Sequence, residues 1–238
     1  TTGTFPPWIN TIQDKKNVHN VFIKIDQHLR RKIKDKKFNT TEFKNFTSIQ
    51  LFERLDFLKW RFYIVYITAL HAALYTKSKN KNFVECGVGD GFTAFYAVNT
   101  LKEKKIKFTC HLYDAWEGMK KKYTHKKEKG SGTYANKFEF LNYEITKNNF
   151  KDFKNIRFVK GDLPESLKIS SPNKVSWLSI DLNSSIPTTA VLKHFYDKIE
   201  TNGIILLDDY GHAGYVKTKE AVDIFLEKKN QLFFKYLM

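Results

Sequence analysis

The chain has 238 residues, 42% of them hydrophobic, enough to fill the core of one large α/β domain with an extension. Its 41 Lys and Arg against 25 Asp and Glu give a formal charge of +16, a balance that favours anionic partners. The excess is mostly lysine and carries no arginine-aromatic motif of the base-reading kind, so nucleic acid is the minority expectation. The longest apolar runs, such as 63–67, are too short to span a bilayer, and no signal-peptide pattern opens the chain. It begins at Thr1 rather than Met, which leaves a removed leader open. Cys86 and Cys110 fall in expected buried strands and read as packing thiols, which suits a reducing, cytoplasmic setting.

In chain order, residues 1–16 carry Pro6, Pro7 and Trp8 and read as an irregular arm. Val18, Val21, Phe22, Ile25 and Leu29 recur at helical spacing and predict an amphipathic helix over 17–35. Its apolar stripe needs a partner, within the chain or in a second copy, so a homo-oligomer is one expectation. Leu51, Leu55, Leu58, Phe62, Val65 and Ala69 predict one long helix through about Tyr75. Residues 1–78 are thus expected to form an arm and helical extension, a cap or an oligomer contact, ahead of a catalytic domain over 79–238.

From Lys81 the pattern alternates, with strands over 82–87, 107–113, 155–160, 175–181 and 203–208. Helices are expected over 92–104, 137–149, 186–199 and 216–229, and a further strand from Leu232. This is the signature of a doubly wound, mostly parallel, Rossmann-like α/β sheet. One insertion, 115–135, interrupts it with Lys120, Lys121, Lys122, His125, Lys126, Lys127, Lys129, Gly130 and Gly132. It reads either as a lid bringing positive charge to a ligand or as a solvated loop.

The chain is organised around Asn82 to Ala94, which reads as buried strand, glycine turn and helix. Gly87, Gly89 and Gly91 would let a nucleotide-like ligand touch the backbone, with the amides opening the next helix facing its polar part. Gly89 to Ala94 also fits the dinucleotide pattern G-x-G-x-x-A, so the glycines alone do not choose the cofactor. The acids do more. Glu85, Asp114, Asp162, Asp181 and the pair Asp208-Asp209 fall at the ends of successive strands, where open parallel sheets bind ligands. Asp114, 23 residues beyond Gly91, could accept from both ribose hydroxyls of either NAD or S-adenosylmethionine. Asp181, Asp208 and Asp209 could converge as an all-oxygen cage for Mg²⁺ or another hard divalent cation, for which hydride transfer has no need.

The runs Val84-Glu85-Cys86-Gly87-Val88, Tyr113-Asp114-Ala115-Trp116-Glu117-Gly118, Ser179-Ile180-Asp181-Leu182 and Gly203 to Gly211 with its Asp208-Asp209-Tyr210 resemble the macrocin O-methyltransferase (TylF-like) family over about residues 80–228. These are class I S-adenosylmethionine-dependent methyltransferases. The resemblance implies that Glu85, Gly87, Gly89, Gly91 and Thr93 form the methionine and backbone side of a cofactor pocket. It further implies that Asp114 binds the ribose, that Asp162 and Leu163 border the adenine, and that Asp181, Asp208 and Asp209 hold Mg²⁺. The implied reaction is methylation of a hydroxyl on a small acceptor such as a sugar, with the lysines pointing to an anionic one.

Relatives commonly carry a second Asp two residues after the one matching Asp181, a candidate proton acceptor, where this chain has Asn183. An amide cannot take a proton. His212 is the best-placed substitute, beside Asp181 in its catalytic role, unless the metal suffices or catalysis has been lost. A nucleic-acid methyltransferase and a non-catalytic binding protein that keeps the pocket are the alternative readings.

Overall fold

The computed structural model of the protein describes residues 12–125 and 140–229. Pro6, Pro7 and Trp8, the insertion's residues from Lys126 onward, the start of the helix expected from 137 and the strand expected from Leu232 lie outside the described residues.

Five parallel strands form one sheet: β1 (Lys81–Cys86), β2 (Phe108–Asp114), β3 (Ile156–Lys160), β4 (Val175–Ile180) and β5 (Ile199–Leu207), in the spatial order β3-β2-β1-β4-β5. Connecting helices are α4 (Phe92–Glu103), α5 (Tyr143–Asn149), α6 (Ser185–Phe195) and α7 (Val216–Glu227), and three more precede the sheet: α1 (Ile12–Lys34), α2 (Ser48–Phe57) and α3 (Lys59–Tyr75). The expected doubly wound α/β class is what folds. Side chains alternate across each strand, so Phe83 of β1 and Trp177 of β4 face a core shared with α1, α3 and α4, while Val84, Cys86, Leu178 and Ile180 face the layer that contains α6 and α7. Both cysteines are free and buried, as packing thiols should be. No helix among the described residues is long and apolar enough to cross a membrane.

The N-terminal region departs from its expected outline. α1 begins at Ile12, inside the expected arm, and its apolar stripe is covered within the chain. Phe22 meets Tyr63 edge-on at 5.0 Å and stacks on Tyr96 at 5.7 Å, and the Tyr66 hydroxyl donates to the Val18 carbonyl at 2.9 Å. The stripe therefore supplies no reason for a second copy. The long helix expected from Leu51 to Tyr75 is two helices. Leu58 leaves helical dihedrals at φ −88°, ψ 1°, closing α2 and opening α3 without the proline or glycine that usually announces a break.

Between α1 and α2, residues 39–42 are fastened to the glycine turn. Asp90, 3% exposed, accepts from the Thr40 hydroxyl at 2.6 Å, the Thr41 amide at 2.8 Å, the Thr41 hydroxyl at 2.6 Å and the Glu42 amide at 3.0 Å. Asn149 of α5 completes the joint, accepting from the Asn39 amide and donating to the carbonyls of Asn39 and Asp90. A carboxylate that receives so many donors holds them more strongly than neutral acceptors would, and its loss strands buried N–H and O–H groups. Asp90→Ala is expected to lower the unfolding free energy by on the order of 3 kcal/mol in urea titrations. An unchanged midpoint would show that the 39–42 segment is held by something else.

Candidate functional site

The site is built by strand register. Cys86 of β1 is level with Tyr113 of β2 and Ile180 of β4, and Ile180 with Leu207 of β5. The ladder runs one step further, through Gly87 N–H to the Tyr113 carbonyl, Asp181 N–H to Cys86 and Asp208 N–H to Ile180. Gly87, Asp114, Asp181 and Asp208 consequently form one row along the carboxyl rim of the sheet, where an open parallel sheet has its crevice. Above the row lies a cavity of about 480 Å³, a volume suited to a small-molecule ligand. Every site residue singled out from the sequence lines it except Gly91.

The three glycines have different reasons to be glycine. All have positive φ, at +85° for Gly87, +54° for Gly89 and +90° for Gly91. A Cβ on Gly87 would stand 1.8 Å from the Asp181 carbonyl oxygen, and one on Gly91 would stand 2.4 Å from the Phe150 ring. Those two let the turn pack against the end of β4 and against α5. Only Gly89 has room for a side chain, its nearest neighbour being Leu141 at 3.9 Å, and it lines the cavity.

Asp114 shapes the same turn. Its Oδ2 accepts from the amides of Val88 at 2.7 Å and Gly89 at 2.9 Å, and its Oδ1 accepts from the Trp116 amide at 2.7 Å. Within the turn itself the Val88 and Gly89 amides are thereby engaged by the protein, and Gly91 N–H goes to the Val88 carbonyl. A carboxylate offers about four lone-pair sites, so Asp114 keeps one for a ligand hydroxyl rather than two. The Gly89 carbonyl is pinned from the other side by Thr146 Oγ1 at 2.8 Å and Trp116 Nε1 at 3.0 Å.

Glu85 is 2% exposed on the central strand, on the face shared with Phe83, and its Oε2 has no hydrogen-bond partner. Burial, with Asp181 adding to it, pushes its carboxyl well above the usual carboxylate range, against the pull of Arg61. A buried polar atom aimed at a cavity and left without a partner marks where a ligand donor is wanted.

Asp181, Asp208 and Asp209 each place a carboxylate oxygen within 4.8 Å of the others. Desolvation first, then repulsion from Asp181, pushes Asp208 and Asp209 above the ordinary carboxylate range. Two neighbours that the sequence did not reveal offset the repulsion. Arg61 of α3 reaches across, with Nη2 2.6 Å from Asp181 Oδ2 and Nε 2.9 Å from Asp208 Oδ1. Asn183 sits at φ +52°, where its amide group donates to Asp181 Oδ1 at 3.1 Å and Asp209 Oδ1 at 3.0 Å, and its backbone N–H to Asp209 Oδ2 at 2.7 Å. The residue that cannot act as a base is the clamp that orients two of the three acids. The one signal for Arg61 was that it and Lys59 are the only formal charges in α3.

His212 is exposed at the cavity mouth and caps a short 3-10 turn, its Nδ1 accepting from the Gly214 amide at 2.9 Å. With the lone pair on Nδ1 engaged, the neutral ring carries its proton on Nε2. In this state it donates at Nε2 and cannot accept there.

The described part of the 115–135 insertion lines the cavity through Ala115, Glu117, Met119 and Tyr123. Of its described lysines, Lys120 pairs with Asp162, itself on the cavity wall, and Lys122 with Glu165, tying the insertion to the loop after β3. Among the described residues the cavity wall holds nine carboxylic acids, two arginines (Arg54 and Arg61) and no lysine. The molecule is basic and its cavity acidic.

Comparison with known proteins agrees with this geometry. The solved structure of the O-methyltransferase NovP superposes with a TM-score of 0.63 at 18% identity, over 71% of this chain and 72% of that one. The calicheamicin methyltransferase CalS11 does so at 0.56 and 14% identity, over 95% and 89%, and the apo form of CalS11, described as a TDP-rhamnose 3'-O-methyltransferase, at 0.52 and 12% identity, over 95% and 90%. At such identities the likeness is one of fold. No curated protein matches the sequence. The macrocin O-methyltransferase (TylF) family pattern matches residues 66–232, most of the chain. The chain belongs to that family and is an S-adenosylmethionine-dependent O-methyltransferase.

Proposed function

We propose that the acceptor is a small, sugar-like hydroxyl compound whose reacting end, the part that enters the cavity, is uncharged, and that a hard divalent cation held by Asp181, Asp208 and Asp209 assists its methylation. The observation that carries this reading is the meeting of three carboxylates from two strand ends at the wall of the cavity onto which Gly89 opens. Their chemistry fits such a cation, being all oxygen and all anionic. The unpartnered Glu85 Oε2 fits the α-ammonium of the methyl donor, and the remaining lone pair of Asp114 fits one ribose hydroxyl. Gly87, Thr93, Asp162 and Leu163 complete that side of the cavity. Asp162 has its Oδ2 engaged by Lys120, which leaves Oδ1 for an adenine edge.

When bound, S-adenosylmethionine supplies a methyl group already activated on sulfonium sulfur. A bound cation would fix the acceptor oxygen and lower its pKa. The chain's own work is alignment: Asn183 holds Asp181 and Asp209 in one orientation, the 39–42 joint holds the glycine turn, and Tyr123 and Leu141 help close the wall against water. The proton of an acceptor hydroxyl so acidified would leave to water, since carboxylates that hold the cation are poor bases and His212 accepts from the Gly214 amide at Nδ1.

Sugar chemistry is favoured because the CalS11 neighbour is described as acting on TDP-rhamnose. An acidic wall disfavours an anionic group inside the cavity and argues likewise against a nucleic-acid phosphate there. The two reduced cysteines fit a reducing, cytoplasmic compartment.

The folded protein is expected to bind S-adenosylhomocysteine with one-to-one stoichiometry in calorimetry, and no heat at high ligand concentration overturns the donor site. Screening free and nucleotide-linked sugars by release of S-adenosylhomocysteine identifies the acceptor. With it in hand, Asp208→Asn should reduce turnover by roughly 10²-fold or more while cofactor affinity holds, and EDTA should do the same. Activity indifferent to both would remove the cation. For His212→Gln, kcat should stay within about tenfold of wild type, whereas loss of a general base typically removes 10²- to 10⁴-fold. A loss in that larger range would restore His212 to the role expected from the sequence.

A further inference from the structure

The guanidinium of Arg61 bridges two of the three acids that could hold a divalent cation. It comes from α3, outside the strand-end motifs, crosses the cavity wall and takes one oxygen from each of two of the three clustered acids, at 2.6 Å from Asp181 and 2.9 Å from Asp208. Asn183 takes the other oxygen of Asp181 and both oxygens of Asp209. Five of the cluster's six carboxylate oxygens therefore already meet a donor, and the cluster carries its own counter-charge. Desolvation by burial opposes the charge on Arg61, but Asp181, Asp208 and Glu85 together hold the guanidinium more firmly protonated than usual, so it is a permanent cation.

We propose that Arg61 is the resident counter-cation of the acid cluster, and that a divalent cation enters only by displacing it from Asp181 and Asp208. This rests on the metal reading given above. Two arguments favour exchange over co-occupancy. A metal drawing one oxygen from each acid would stand within a carboxylate's width of the guanidinium, and like charges so close repel strongly in a half-buried site. In addition, Arg61 holds two of the cluster acids at once, so it bridges the ligand set where an outer orienting residue would support a single ligand from behind. The displaced side chain keeps a place to go, because Glu42 lines the same cavity and its carboxylate makes no ion pair among the described residues. Metal loading would then move a positive charge from the sheet rim to the side of the cavity built by the N-terminal helices.

The two alternatives predict opposite signs. If Arg61 competes, Arg61→Gln binds Mn²⁺ at least tenfold more tightly than wild type, read as the free Mn²⁺ signal in electron paramagnetic resonance, and Mn²⁺ raises its Tm more. If Arg61 supports the ligands, the variant binds Mn²⁺ 10- to 100-fold more weakly. Equal or weaker binding overturns the proposal. Arg61→Lys, which keeps a charge but loses the two-acid fork, should fall between the two and serves if the glutamine variant does not fold. Adding Asp208→Asn to Arg61→Gln should abolish the tight binding; retention there would place the Mn²⁺ elsewhere and overturn the proposal. Absence of Mn²⁺ binding in wild type and Arg61→Gln alike removes both the exchange and the metal. Calorimetric binding of S-adenosylhomocysteine by the same samples shows whether the methyl-donor pocket stands regardless.

Discussion

Three carboxylates held within 4.8 Å of one another are the constraint on which this molecule turns. Their backbones are set side by side, because the hydrogen-bond ladder runs past the strand ends and fixes Asp181 beside Cys86 and Asp208 beside Ile180, and Asn183 ties the carboxylates of Asp181 and Asp209 together. Like charges locked together in a partly dry crevice need an opposing charge. Arg61 provides it, and it can do so only because α3 packs along α4 and lies against the sheet through β4 and β5. The helical segment ahead of the sheet is in this sense part of the electrostatics of the site, joined to the same core as Phe83 and Trp177.

What could be read in advance was whatever depends on local pattern. Alternating strands and helices gave the sheet, and acids at strand ends marked the rim, since register in a parallel sheet with a buried centre leaves little freedom to displace them. What escaped notice depends on tertiary approach. Leu58 breaks a helix in a stretch whose periodicity is uninterrupted, and nothing near it in sequence says so. Gly91 belongs to a glycine pattern shared with ligand-binding turns, yet Phe150, nearly sixty residues on, is what requires it. Asn183 looks in sequence like a missing base, but its left-handed backbone turns the amide back onto Asp181 and Asp209. Arg61 is one arginine in a hydrophobic helix, and its partners lie 120 or more residues downstream.

Charge shows how far composition can mislead about a site. A formal charge of +16 suggests an anion-seeking protein, whereas the cavity wall is dominated by carboxylic acids. The described lysines of the insertion make ion pairs of their own, Lys120 with Asp162 of the cavity wall and Lys122 with Glu165 outside it. Net charge governs how the molecule as a whole meets other macromolecules; the sign of a cleft is set by the few groups that register and packing bring to its wall.

The fastening of residues 39–42 to Asp90 bears on what the smallest working form of this enzyme could be. The glycine turn and the stretch between the first two helices share one set of bonds, so each lends the other part of its bracing. A shortened chain starting at the first strand would retain every recognisable methyltransferase motif and the hold of Asp114, Thr146 and Trp116 on the turn, but would leave the Asp90 carboxylate without its four donors. The portion least distinctive in sequence thus helps to set the portion most distinctive.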